Sequence, residues 1–162
     1  YVGAINSAKD SIKLLNPYLT LTHSVKKAIK RALKRGVKFE VMLAEKSDIP
    51  LTPDCAFYNL HWMMKKGAEV WIFQGGFHHT KVIMVDGKFC TVGSTNLDAR
   101  SLRWDYEENA IIIDKPTTHE LSTLFDRDKQ RSFRLTRDNW KTWKSRGQRF
   151  KCWFAHLFAT WL

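Results

Sequence analysis

Residues 78–96 read "HHTKVIMVDGKFCTVGSTN", and the fold is decided inside them. "TKVIMVD" and "FCTVG" are two apolar runs joined by Asp86-Gly87-Lys88, which is the composition of a β-hairpin with a tight turn. Gly75-Gly76 break the chain immediately before it. His79 and Lys81 lie at i and i+2 on the first predicted strand, so their side chains leave the same side of the sheet. An imidazole beside an ammonium is poor core packing but a useful pair for phosphate chemistry. The ring can attack phosphorus while the lysine holds a non-bridging oxygen as charge develops. Ser94 and Asn96 follow the second strand and supply neutral donors to the same oxygens, and Gly93 lets the backbone come close. Nothing in this set asks for a metal or an organic cofactor, and none is expected. Each residue alone has an ordinary structural reading; the whole spaced pattern is a poor product of chance.

Outward from the hairpin, strands alternate with helices. A short helix over 2–8 leads into "SIKLLNPY", a strand stopped by Asn16-Pro17. In "SVKKAIKRALKRG", Val25, Ala28, Ile29, Ala32 and Leu33 form one apolar face, with Ser24 as the expected cap and Gly36 as the stop. Six lysines and arginines cover the opposite face, a solvated surface or an anion contact. "VKFEVML" is an alternating strand. "TPDCAFYNLHWMMKKG" is a helix capped by Thr52, with Pro53 in its first turn and Phe57, Leu60 and Met64 inward. "AEVWIF" and "NAIIID" are further strands. A capping box of Thr117 and Glu120 is expected to open a helix carrying Leu121, Leu124 and Phe125. The sum is an α/β domain in which helices cover a mixed sheet.

Composition narrows the partners. The chain has 162 residues, 44% of them apolar, which suits one folded domain. Its net charge of +11 predicts an anionic partner, whether nucleic acid, acidic membrane or phosphorylated substrate. Seven Trp and ten Phe add large apolar rings to that charge, a pairing that suits lipid headgroups and single-stranded nucleic acid alike. Cys55, Cys90 and Cys152 are odd in number and have no ligand spacing, so a reducing compartment is the natural reading. No apolar run is long enough to span a bilayer. The chain opens at Tyr1 in a helical pattern without Met or a targeting segment, as expected of a C-terminal domain of something longer. His23, His61, His78, His119 and His156 are taken as structural or surface residues.

The closing stretch, "NWKTWKSRGQRFKCWFAHLFATWL", puts Phe150, Trp153, Phe154, Leu157, Phe158 and Trp161 on a helical stripe. Lys141, Lys144, Arg146, Arg149 and Lys151 crowd the turns before it. Such a stripe is either a terminal helix docked on the core or an anchor in an anionic leaflet, where each basic residue contributes about 1 kcal/mol.

"HTKVIMVDGKFCTVGSTN" resembles the HKD motif of the phospholipase D superfamily. "GGFHHTK", "NLDARSLRWDYE" and "NPYLTLTHSVKKAIKRALKRGVKFEVMLAEKSD" are similar to the C-terminal half of bacterial cardiolipin synthases, so the likeness covers nearly the whole chain. The resemblance implies a phospholipase D-like α/β domain over 1–135, its mixed β-sheet flanked by helices on both faces; the basic, aromatic helical tail over 136–162 follows from its own residues. It implies catalytic roles for His79 and Lys81, with Asp86 ranked below them as more often structural, and phosphate contacts from Ser94, Asn96 and Gly93. It implies that Glu107, or less well Glu108, orients the far nitrogen of His79. Asp105 departs from the asparagine usual at its position. Only one motif is present, and exchange through a phosphohistidine needs two histidines in opposite protonation states. A second HKD half is therefore expected, from an N-terminal half of a longer chain or from a second copy.

The implied reaction moves a phosphatidyl group between two phosphatidylglycerol molecules to give cardiolipin and glycerol, peripherally at the bacterial inner membrane. The alternative is a phosphodiesterase or nuclease of the same superfamily acting as a dimer, although the aromatic tail speaks against nucleic acid. A non-catalytic supporting half is a third reading, disfavoured by the intact His-Lys-Ser-Asn-Glu set.

Overall fold

In the computed structural model, which describes residues 1–46 and 52–157, thirteen elements follow one another. They are α1 (Val2–Ser7), β1 (Ser11–Leu15), α2 (His23–Lys34), β2 (Lys38–Ala44), α3 (Thr52–Lys65), β3 (Glu69–Phe73), β4 (Val82–Val85), β5 (Phe89–Gly93), β6 (Asn109–Ile112), α4 (Lys115–Lys129), β7 (Ser132–Leu135), α5 (Arg137–Trp143) and α6 (Arg146–Leu157). The seven strands form one sheet in the order β6-β5-β4-β1-β2-β3-β7. β1, β2 and β3 run parallel and every other pairing is antiparallel.

Period two sorts the side chains between the faces. Ile12, Leu14, Phe39, Val41, Leu43, Val70, Ile72, Ile83 and Val85 join α1, α2 and α3 in the larger core. Leu15, Met42, Phe73, Val82 and Met84 meet Phe125 of α4 in a smaller one. Helices therefore lie on both faces of a mixed sheet, as expected. β2 does not alternate between core and solvent, because both of its faces are covered. Its one buried charge, Glu40, is bonded by Lys129 at 2.5 Å and by the exposed Lys38 of the same strand at 3.2 Å.

Some expected boundaries shift. Ser24 lies inside α2, and the cap position falls to Thr22, whose side chain makes no capping bond. Gly36 does end that helix, with φ +86. The capping box at Thr117 and Glu120 is replaced by Asp114, whose carboxylate accepts from the Thr117 N–H at 2.8 Å. An aspartate just before Lys115-Pro116 can cap and still leave the proline in the first turn, where its missing N–H costs nothing. Thr52 opens α3, but its side chain, that of His156, and Phe158 and Trp161 of the expected stripe lie outside the described residues. α5 and α6 lie on the α3 side, where Trp140 and Cys152 enter the larger core.

Candidate active site

β4 begins at Val82, so His79 and Lys81 precede the sheet rather than lying in it. The extended segment still turns both side chains the same way. Lys81 Nζ stands 2.7 Å from His79 Nε2 and donates to the His79 carbonyl at 3.0 Å. An ammonium can only donate, so Nε2 is the acceptor and the ring proton sits on Nδ1. Lys81 is buried and His79 is exposed. The imidazole lies between Phe77, 5.2 Å between ring centres, and Tyr18, edge-on at 6.3 Å. The nitrogen carrying the lone pair is thus the one beside the fixed cation.

The segment carrying His79 is fastened to α4. His78 Nε2 is 3.0 Å from Asp128, and its ring stands edge-on to Phe73. Two further bonds, from Gln74 N–H to the Arg131 carbonyl and from Arg131 to the Gly75 carbonyl, hold the preceding turn. Between β4 and α4 a cleft of about 210 Å³ opens beside His78, lined by Leu15, Val82, Met84, Leu121, Leu124 and Phe125 among others.

Residues 93–96 close the other side. Ser94 N–H donates to the Glu108 carbonyl at 2.9 Å, and Glu108 N–H returns to Ser94 Oγ at 3.0 Å. Ser94 Oγ donates in turn to Glu107. Among the described residues the Glu107 carboxylate is bonded to Ser94 and not to His79, so the expected orienting contact is absent from this arrangement. Gly93 is explained by the chain beside it: a Cβ there would stand 2.2 Å from the Glu108 carbonyl oxygen and from Asn109 Oδ1. What comes close to Gly93 is β6. Among the described residues Asn96 Oδ1 is buried with no hydrogen-bond partner; it can only accept, so a bond from Asn96 to a phosphate oxygen would have to come from Nδ2.

Asp86 does not belong to this constellation. It lies at the opposite end of β4 from Lys81, five residues on and about 16 Å of extended chain away. Its carboxylate accepts from the backbone N–H groups of Lys9, Asp10 and Ser11 at 2.8–2.9 Å. Partial burial pushes its pKa up, but those three donors and Lys88 outweigh it and hold the carboxyl below its usual range. The aspartate clasps the entry to β1 onto the β4–β5 turn. Asp105 is likewise engaged elsewhere, in an exposed pair with Arg100 at 3.0 Å.

Sequence reasoning missed Asn16. Read as a strand stop, it is 2% exposed and wires the site together. Its Oδ1 accepts from the N–H groups of Tyr18 and Leu97, and its Nδ2 donates to the Thr95 carbonyl, where Tyr1 also donates. A short amide sitting among Leu14, Leu15 and Leu19 was the available signal, since such a group is buried only when fully bonded.

The fold is that of a phospholipase D-type α/β domain. The structure superposes on a phospholipase D family member, Nuc from Salmonella typhimurium, with TM-score 0.74 and 20% identity over 83% of this chain and 88% of that one. It superposes on the phosphatidylserine synthase of Haemophilus influenzae with TM-score 0.75 and 13% identity, over 99% of this chain and 43% of that one. In sequence, the family described as "Cardiolipin synthase, PLD-like domain" matches residues 1–129, and the chain belongs to it. A cardiolipin synthase from Oceanobacillus iheyensis is 34% identical over 93% of this chain and 31% of its own length. One from Listeria welshimeri is 36% identical over 84% and 28%. The chain thus spans less than a third of the curated relatives it matches.

Proposed function

We propose that this domain is one half of a phosphatidyltransferase that joins two phosphatidylglycerol molecules into cardiolipin with release of glycerol. The observation that carries the reading is the 2.7 Å contact between Lys81 Nζ and His79 Nε2. It keeps a lone pair and a fixed cation where a phosphate would need both, a nucleophile and a charge sink side by side. A non-bridging oxygen that takes over the ammonium releases Nε2. Ser94 and Asn96 stand by with hydrogen bonds for the remaining oxygens, and Glu107 can turn from Ser94 to the Nδ1–H of His79 as the orienting acid.

The other histidine comes from a second HKD half, in a longer chain or a second copy. One imidazole attacks phosphorus and the P–O bond to the departing glycerol breaks. The other gives that glycerol its proton, then takes one from the hydroxyl of the incoming phosphatidylglycerol as it displaces the phosphohistidine. Either histidine can take either role, since both orders use the same groups. Exposed Trp104 and Tyr106 beside the site offer contacts to that second half. The cleft beside His78 favours a lipid over nucleic acid, since its apolar walls suit an acyl chain. We place the domain peripherally on the bacterial inner membrane.

The test is direct. The full-length parent, with His79→Ala in parallel, is incubated with phosphatidylglycerol in detergent and the lipids are resolved by mass spectrometry. Cardiolipin from the parent and none from the variant is the expected result. Phosphatidic acid instead would identify a hydrolase, and nuclease activity lost with His79 would move the substrate to nucleic acid.

A further inference from the structure

α6 buries its small residues and exposes its large ones. Cys152 and Ala155 are 1% exposed, the sulfur 3.5 Å from Asp54 and the alanine packed on Cys55. Phe150, Trp153, Phe154 and Leu157 are 46–64% exposed. A helix that served only to complete the core would be arranged the other way round, since the aromatic side chains carry most of the burial energy.

The charges beside that stripe divide into two groups. Lys151 pairs with Asp54 at 3.2 Å, and Lys144 lies over the rings of Phe57 and Trp143. Arg146 is exposed and Arg149 half-buried, both one to two turns from the aromatic residues. A contiguous apolar strip next to arginines fits a partner that is oily and anionic at once.

Register fixes where the strip sits. Leu15, the last residue of β1, pairs with Val82, next to Lys81, so the site lies at the C-terminal end of β1. α3 begins after the C-terminal end of β2, which runs parallel to β1. Lys151 and Ala155 meet Asp54 and Cys55 in the first turn of α3. The outer half of α6 and His79 therefore share one end of the sheet.

We infer that α6 is an interfacial anchor whose aromatic side enters the headgroup layer of an anionic bilayer. That an anchored domain thereby faces its substrate rests on the reading above; the binding itself does not. The test uses the 162-residue chain with sedimented vesicles, either pure phosphatidylcholine or phosphatidylcholine mixed with phosphatidylglycerol. The chain pellets with the anionic vesicles. A Trp153→Ser/Phe154→Ser variant binds them at least tenfold more weakly, and so does Arg146→Glu/Arg149→Glu, with unchanged circular dichroism because these side chains lie outside the core. His79→Ala binds like the parent chain, so loss of reaction and loss of binding are read separately. Quenching of tryptophan emission by brominated lipid, reduced in Trp153→Phe, places the helix at the interface even if a double variant misfolds. Equal pelleting with both vesicles, or binding indifferent to both double variants, overturns the inference. So does an effect of the aromatic variant on self-association or single-stranded DNA binding in place of vesicle binding.

Discussion

Lys81 donates one N–H to His79 Nε2, and a phosphate oxygen must compete for that hydrogen bond. Replacing the lysine by methionine keeps a long side chain in a buried position and removes both the proton and the charge. Lys81→Met is expected to lower product formation by about a thousandfold while leaving the thermal midpoint close to that of the parent, measured on the same preparations. Asp86 has the opposite signature. Asp86→Asn keeps a residue tolerant of φ +53 but turns an amide toward three backbone N–H donors, and is expected to cost about 2 kcal/mol in urea unfolding. Its activity per folded molecule should stay near that of the parent; a catalytic aspartate would lose rate without losing stability. Gly93→Ala belongs with it, since the added Cβ collides with the backbone of β6. A loss of about 1–3 kcal/mol is expected in the same assay.

Among the elements, α4 is held by charge as much as by oil. Glu40 faces Lys129 and Lys38 beneath it, and Lys13 reaches Asp126 at 2.7 Å. Burial pushes the Glu40 pKa up, yet the two lysines outweigh burial and leave it below its usual range. Such a carboxylate stabilises the fold above its unfolded pKa, and the contribution is lost as pH falls through the folded value. Glu40→Ala leaves the half-buried Lys129 without this partner and is expected to cost about 2 kcal/mol at neutral pH, read as a lower urea midpoint. Little of this arrangement was legible in sequence. The hairpin, α2 and its stop at Gly36, and the pairing of His79 with Lys81 were, because they follow from local rules of period and turn. Glu40 looked like the polar member of an alternating strand; only the helix that returns seventy-five residues later buries it. The cap of α4 fell at Asp114 because an aspartate competes well for that position. The direction of α6 was hidden for another reason. A stripe gives a face but not its side, and close approach to α3 selects Cys152 and Ala155 over the larger residues.

For the molecule as a whole, His61 ties the sheet-covering layer to the C-terminal helices, stacked on Trp140 of α5 at 4.5 Å. Burial, helped by Lys65, Arg149 and Arg137, lowers its pKa from 6.5 to about 4. Between those values the unfolded chain takes up a proton that the folded one refuses, so stability falls as pH drops from 6.5 toward 4. His61→Phe keeps a stacking ring and should flatten that limb, seen as a smaller change in urea midpoint between pH 6.5 and 5. The carboxylates Glu40 and Asp86 act lower on the scale and leave this window to the histidine. The strand order carries a further consequence. β1 lies between β2 and β4, but on a ribosome β2 emerges well before β4. Throughout that interval the nascent chain offers β1's outer edge, unpaired and flanked by leucine and isoleucine, to any neighbour. Not until the hairpin arrives and Asp86 clasps the N–H groups at the entrance to β1 is that edge closed. Chains stopped before the hairpin should therefore collect in aggregates.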